Sequence, residues 1–356
     1  MTGNRMYLFP LSLLYGCVVR FRNFLFDVGI MKSRTYADVM VVGVGNLSTG
    51  GTGKSPFVEY IVERYGNDFS IAILSRGYGR KTKGFRICTI NDTYLDIGDE
   101  PHQFVAKYDN VVVAVDKNRR RGIEKIKSAY PKVNMILLDD SYQHRWIKPT
   151  LNILLTSYYN LYTSNCLLPA GNLREHAVNA KRADVIIVTK CDNVLSPIVA
   201  RQLHDTLNVH NKKLLFTTIT YEDIRPMKGS YAEEHPLDLH DHKYSTAICF
   251  SGIENNYLFT YQAKQLFNDI DVVEFGDHYH YTLDDLKKIN KLFIDNYGNK
   301  KFILTTEKDI QRLQLPEFEE LIKTMPIYYL PMKVAFCNNG ASEFDEMIRS
   351  GGEGRR

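Results

Sequence analysis

Apolar residues in this chain come largely as short, uninterrupted runs separated by polar, helix-compatible stretches. Val39 to Val44, Ile71 to Leu74, Val111 to Val115, Met135 to Leu138, Leu151 to Leu155 and Val185 to Val188 are the clearest. Runs of that length, bounded by turn residues, read as strands buried on both faces. Phe57 to Val62 and Arg119 to Ala129 fall between them and read as helices. Alternation of this kind predicts an α/β fold, a parallel sheet with helices on both faces, whose ligands sit at the carboxyl ends of the strands. A polar stretch containing Pro226 and Pro236, residues 221–243, interrupts the pattern as a linker. The alternation restarts with Thr246 to Phe250, Val272 to Phe275, Lys301 to Thr305 and Ile327 to Leu330. There Thr282-Leu283-Asp284-Asp285 predicts a capping box for a helix running towards Asn296. The expected organisation is a first unit over 1–220, the linker, and a second, smaller α/β unit over 244–350. Clefts between such units are common small-molecule sites.

The start of the chain follows a different rule. Met6 to Val19 is uncharged but shorter than a spanning helix requires, and Arg20 and Arg22 then interrupt it. No small-residue cleavage site precedes them, which argues against a signal peptide. Read as a helix from Pro10, the polar and small residues Ser12, Gly16, Arg20, Asn23 and Asp27 form one narrow stripe. Nearly everything else on it is apolar. So wide an apolar face needs a cover, and two covers fit equally: the sheet, or a membrane surface with Lys32 and Arg34 at the headgroups.

Composition adds little. The chain has 356 residues and a net charge of +4, and no face interleaves basic and aromatic residues, so nucleic acid is not an expected partner. Six cysteines without paired spacing read as reduced and structural, hence cytoplasmic, and the tail from Gly351 is expected to fray.

The strongest chemical signal follows the first strand. Ser48-Thr49-Gly50-Gly51-Thr52-Gly53-Lys54-Ser55 is a glycine-rich turn ending in Gly-Lys-Ser, ahead of a helix. This is how a P-loop holds nucleotide phosphates: backbone N–H groups converge on the anion, the lysine reaches the transferred group, and the last hydroxyl binds Mg²⁺. Ser48 stands where the general pattern has glycine. The nearby Gly43-Val44-Gly45 lacks the third glycine of a dinucleotide fingerprint. Asp139-Asp140 closes a later strand, as a Walker-B acid does, and one of the pair is expected at the metal with Ser55. In Gly98-Asp99-Glu100-Pro101 the proline is expected to keep Glu100 out of helical geometry, leaving two carboxylates in a loop. An acid there would orient an acceptor hydroxyl. Asp277-His278-Tyr279-His280 lacks a third clear zinc ligand, and a histidine presented across the cleft would instead tune Asp99. Arg76, Arg80, Arg119, Arg120, Arg121 and Arg174 are candidate phosphate partners, although three consecutive arginines usually mark a solvated helix start. Thr189-Lys190-Cys191-Asp192 loosely echoes a guanine-reading motif with the wrong first residue and reads as a strand end.

Taken in order, these motifs resemble the tetraacyldisaccharide 4'-kinases, a P-loop NTPase-like family that phosphorylates the lipid A precursor. The match runs through Gly45 to Pro56, Ser75-Arg76-Gly77-Tyr78-Gly79, Gly98 to Pro101, Asp139-Asp140-Ser141-Tyr142-Gln143-His144-Arg145, Leu168 to Glu175, Asp277-His278 and Thr306-Glu307-Lys308-Asp309. It also includes the apolar start Leu11 to Gly16. The resemblance implies ATP and Mg²⁺ as cofactors and an acylated glucosamine disaccharide phosphate, a glycolipid, as acceptor. It implies a catalytic acid at Asp99, its partner at His278 and catalytic Lys54. It matches the Asp-Asp pair to Asp139 and Asp140, which with Ser55 are expected at the metal, and an arginine to Arg174, with Arg76, Arg119 and His144 expected as further substrate contacts. It further implies peripheral or monotopic attachment, through the first helix, to the cytoplasmic face of the inner membrane. Ser141 and Tyr279 depart from the family pattern, in place of glycine and of a second histidine. The alternative is a membrane-recruited P-loop NTPase switch that passes phosphate only to water.

Overall fold

The computed structural model describes residues 6–207, 212–236, 246–297 and 300–353. Nine strands form the larger sheet. In spatial order they are Met332–Phe336, Lys213–Tyr221, Val185–Cys191, Leu151–Ser157, Met40–Asn46, Met135–Leu138, Ile71–Ser75, Val112–Val115 and Arg86–Ile87. The seven inner strands pair in parallel, and one antiparallel strand closes each edge. Every residue of Met40–Asn46 is buried, as a strand covered on both faces must be. On one face Val42, Val44 and Ile73 pack against Phe57, Ile61, Phe344 and Ile348. On the other, Val41, Ala72 and Ile136 meet Ile123 and Ile126 of helix Arg119–Ala129.

The smaller sheet has the order Asp269–Glu274, Thr246–Ser251, Lys301–Thr306, Ile327–Leu330 and Arg225–Pro226. Its last strand comes from the stretch read as a linker, pairing antiparallel through Tyr329↔Arg225. Residues 237–243 of that stretch lie outside the described residues. The other end of the second unit also differs from the expectation. Met332–Phe336 and helix Gly340–Glu353 return to the larger sheet, through Val334↔Ile219 and through Phe336 and Phe344, which pack edge-on against Phe57. Their apolar face covers helix Lys54–Tyr65, a partner that no local pattern announces. That helix also carries the chain through Gly351 to Glu353 where fraying was expected. The capping box at Thr282 and Asp285 is present, and Tyr279 donates its hydroxyl to the same Asp285 carboxylate at 3.1 Å.

Helix Phe9–Asp27 lies on the larger unit in an unusual sense. Its stripe of Ser12, Gly16 and Asn23 faces the protein, while Leu14 and Phe21 are 65% and 64% exposed and Leu11, Leu13, Val18 and Phe24 are exposed with them. The sheet is therefore not the cover for its apolar face. Polar contacts hold the stripe to the segment 166–175. Ser12 donates to the Leu167 carbonyl at 3.1 Å and accepts from the Ala170 N–H at 2.9 Å. Asn23 donates to Glu175 at 3.0 Å. A Cβ on Gly16 would come within 2.7 Å of Leu167 Cδ1 and 3.2 Å of His176 Nε2, so a larger residue here would have to displace those side chains.

Candidate active site

Strand Met40–Asn46 ends where the glycine turn begins, and helix Lys54–Tyr65 starts within it. Gly53, with φ 78°, supplies the left-handed conformation that turns the chain into the helix. Four neighbours clamp the turn. Asn46 Nδ2 donates to Thr52 Oγ1 at 2.8 Å, and Thr189 Oγ1 donates to the Thr52 carbonyl at 2.9 Å. The Thr49 N–H donates to the Asn172 carbonyl at 2.7 Å, while Ser48 bridges Leu173. The Gly51 N–H donates to the carboxylate of Glu254, which follows strand Thr246–Ser251 of the smaller sheet. An anion thus already rests on the turn, as a phosphate does on a P-loop.

Beside the turn, strand Met135–Leu138 delivers two adjacent acids into different surroundings. Asp140, at φ 46°, is ringed by cations: Arg174 Nη1 donates to both its oxygens at 2.9 and 3.0 Å, and Lys54 Nζ lies 3.7 Å away. Burial raises its pKa, but Lys54 and Arg174 outweigh burial and hold it below the usual range. Asp139 is wholly buried. Its Oδ2 accepts from Ser75 Oγ at 3.0 Å and its Oδ1 has no hydrogen-bond partner. Burial, then Glu100 and Asp140, push this carboxyl up to about 7. Ser55 Oγ donates to Glu100 Oε1 at 3.0 Å.

Asp99 sits where the two sheets' helices meet. Its Oδ2 accepts from His278 Nδ1 at 2.8 Å and from Arg312 Nη2 at 2.7 Å, and its Oδ1 accepts from the Glu100 N–H at 3.0 Å. Burial works to raise its pKa; Lys308, the His278 hydrogen bond and Arg312 together hold it well below the carboxylate range. His278 and Arg312 both come from the smaller unit, so this cluster exists only because the two units are docked. Further contacts fasten the joint. His102 and Gln311 hydrogen-bond at 2.8 Å, and Lys107 bridges Glu59 at 2.7 Å and Glu307 at 3.2 Å.

The sequence profile of the tetraacyldisaccharide-1-P 4'-kinase family matches residues 4–351. The tetraacyldisaccharide 4'-kinase of Flavobacterium psychrophilum is 40% identical over 347 residues, covering 97% of this chain and 96% of that protein. Its counterpart in Bacteroides thetaiotaomicron is 37% identical over 350 residues, covering 96% and 92%. The chain belongs to the tetraacyldisaccharide-1-P 4'-kinase family. The crystal structure of LpxK from Aquifex aeolicus in complex with ATP has a similar fold, with a TM-score of 0.74 and 27% identity over 98% of this chain and 99% of that one.

Within this member of the 4'-kinase family, the expected site residues separate into groups. The structure gathers Lys54, Asp140 and Arg174 in one cluster, Ser55 with Glu100 in a second, and Asp99 with His278 in a third. Two expected substrate contacts, Arg119 and His144, differ from that expectation, Arg119 in where its side chain goes and His144 in its charge. Arg119 is 2% exposed and donates to the carbonyls of Asp116 at 2.6 Å and Asp139 at 2.7 Å, a brace behind the acidic strand. It opens a helix, as read, but its side chain turns inward to carbonyls that would otherwise lack donors. His144 is partly buried with Nδ1 unpartnered, and burial, then Arg119, push it down to about 4. It is therefore neutral near pH 7 and would meet a substrate through a hydrogen bond and not through charge. Arg76 is exposed just past strand Ile71–Ser75. The acidic turn also differs from its reading, because Asp99–Lys107 is a helix from its first residue. Pro101 lies in the first turn, where the missing N–H is unpaired anyway, so Glu100 is helical after all.

Four residues had no assigned role in the sequence reading: Glu254, Glu100 as the partner of Ser55, Lys308 and Arg312. Thr306-Glu307-Lys308-Asp309 does carry a signal for the last two. Its threonine caps helix Glu307–Leu313, placing Lys308 and Arg312 one turn apart on one face. Among the described residues no cluster of three His, Cys, Asp or Glu side chains is arranged to hold a metal by itself. A P-loop magnesium needs none, because hydroxyl, carboxylate, phosphates and water share it.

Proposed function

We propose that the protein transfers the γ-phosphate of ATP to the 4'-hydroxyl of a tetraacyldisaccharide 1-phosphate at the inner-membrane surface, with the three clusters as donor site, metal site and acceptor site. Residues 48–55 hold the triphosphate, and Lys54 neutralises the transferred group. Ser55 and the unpartnered Oδ1 of Asp139 fit a magnesium ion, with Asp140 held off by Lys54 and Arg174. When bound, that ion would neutralise charge on the β- and γ-phosphates.

Asp99 receives the acceptor hydroxyl. Three donors already fix its two oxygens, so the carboxylate is charged and aimed before substrate arrives. A weak base suffices, because the hydroxyl proton leaves late in a loose transition state and positioning dominates. His278 orients Asp99 and, by donating to it, holds the carboxylate in place for the acceptor hydroxyl. The observation that carries the assignment is this anchored acid, in helical sequence next to Glu100, which itself binds the P-loop hydroxyl of Ser55.

Arg174 and Arg76 are the arginines left to meet the acceptor's own phosphate. The exposed face of helix Phe9–Asp27 supports attachment to the bilayer, and no described helix is long and apolar enough to cross it. The polar side of that helix grips the segment bearing Arg174, and Tyr15 donates to the Arg174 carbonyl at 2.8 Å. Lipid lifted from the membrane along this helix meets the site without crossing water.

The test is transfer of labelled phosphate from ATP to lipid extract. Wild-type protein is expected to label a lipid-soluble product, and Asp99→Asn to lose at least about a hundredfold in turnover with ATP affinity kept. Label appearing only as free phosphate would favour the switch reading instead.

A further inference from the structure

We propose that Lys308 is a second phosphoryl-stabilising cation, supplied by the smaller unit and standing between the donor and acceptor halves of the site. The inference rests on the assignment of Ser55 to the donor side and Asp99 to the acceptor side. Lys308 Nζ lies 3.6 Å from Glu100 Oε1 and 3.7 Å from Asp99 Oδ2. Glu100 Oε1 in turn accepts from Ser55 Oγ at 3.0 Å. A chain of contacts therefore runs from the P-loop hydroxyl of Ser55 through Glu100 and the ammonium group to the acceptor acid. In an in-line transfer the moving phosphoryl lies between those same two points, and its equatorial oxygens carry charge that needs a cation. Lys54 serves from the turn side, where it faces Asp140.

A purely structural role fits the geometry less well. Neither Lys308 contact is as short as a hydrogen bond, whereas Arg312, Gln311 and Glu307 on the same helix make close ones across the joint. Arg312 is also out of reach of any ligand, with a side chain 1% exposed against 23% for Lys308. Lys308 alone on that face is both charged and open to the cleft. Its neighbours Glu100 and Asp99 keep it protonated, pushing its pKa up despite burial. Because it belongs to helix Glu307–Leu313, the cation reaches the phosphoryl only when the two units are docked. Water bound to an undocked P-loop would then lack part of the catalytic charge.

The experiment compares Lys308→Met, Lys308→Arg and Asp99→Asn in the full chain, with lipid-phosphate transfer, ATP affinity and thermal melting measured on each. The expected result for Lys308→Met is a fall of about a hundredfold in kcat, with ATP affinity and KM for ATP within threefold of wild type. Lys308→Arg should recover at least tenfold, since it restores the charge. Turnover within threefold of wild type in Lys308→Met, while Asp99→Asn is inactive, overturns the role of Lys308 and leaves the acceptor assignment standing. Full activity in Asp99→Asn overturns that assignment instead. If Lys308→Met does not fold, Lys308→Gln, which keeps a polar side chain without the charge, takes its place and is read through ADP–aluminium fluoride. Affinity for this mimic unchanged from wild type refutes the proposal, and a loss of mimic affinity with ADP affinity kept upholds it.

Discussion

Asp99 and Asp139 are buried carboxyls that share Glu100 as a neighbour, yet their surroundings drive them in opposite directions. Asp99 has three cationic or donor groups on it and remains charged; Asp139 has a serine hydroxyl and two nearby acids and is pushed up to about 7. Asp139 is thus only partly charged near pH 7 until a cation favours the ionised form, while charge on Asp99 is present beforehand. Behind them Arg119 is a structural rather than a functional arginine. Arg119→Met would leave the carbonyls of Asp116 and Asp139 without donors, and a loss of about 2–4 kcal/mol in denaturant unfolding is expected. His144 gives a pH dependence with a definite sign. Its folded pKa, about 4, lies below the unfolded value of about 6.5, so between those values the unfolded chain binds the extra proton. Stability should therefore fall as pH drops from 6.5 towards 4, and His144→Phe should flatten that slope in unfolding curves taken at pH 7.5 and 5. The residue types at the site were legible in the chain, because Gly-Lys-Ser after a strand and Asp-Asp at a strand end carry their own mechanism. The direction of a side chain was not. Arg119 and Arg174 look alike in sequence, and only packing decides that one braces a strand while the other grips Asp140.

At the level of elements, most strands were readable because each is a continuous apolar run, and helix Arg119–Ala129 has the bounds its pattern implies. The short strand Arg225–Pro226 was not, since two residues carry no periodicity. Helix Phe9–Asp27 is the more instructive case. Its stripe was visible, but whether stripe or apolar face turns inward depends on the segment 166–175 being able to satisfy Ser12 and Asn23. Gly16→Leu should lift this helix, as its Cβ already meets Leu167 and His176 and the rest of the leucine would reach further into them. Loss of lipid phosphorylation with ATP binding intact is the expected outcome. Replacing Leu14 and Phe21 by aspartate should release the protein from vesicles in flotation without lowering its melting temperature, because neither side chain is packed.

For the whole molecule, the two units share one site, and Glu254 reports how they are coupled. Its carboxylate accepts the Gly51 N–H on the turn that ATP would use. Like charges cannot share that place, so Glu254→Ala is expected to bind ATP several-fold more tightly in calorimetry, and unchanged affinity would show that the carboxylate does not compete. This contact spans 203 positions in sequence and left no trace there. Nor did the return of the chain's last strand to the first sheet, which rests on Phe336 and Phe344 meeting Phe57.

That return has a topological meaning. Strands Lys213–Tyr221 and Met332–Phe336 lie side by side, with Met332 opposite Tyr221 and the Glu222 N–H bonded to the Pro331 carbonyl at 3.0 Å. Everything from 223 to 330 is thus a bulky insertion in what is otherwise a hairpin. Splicing Glu222 to Pro331 through a two-residue Asn-Gly bend should leave a self-sufficient nucleotide-binding scaffold, stripped of the histidine and arginine that prepare its acid.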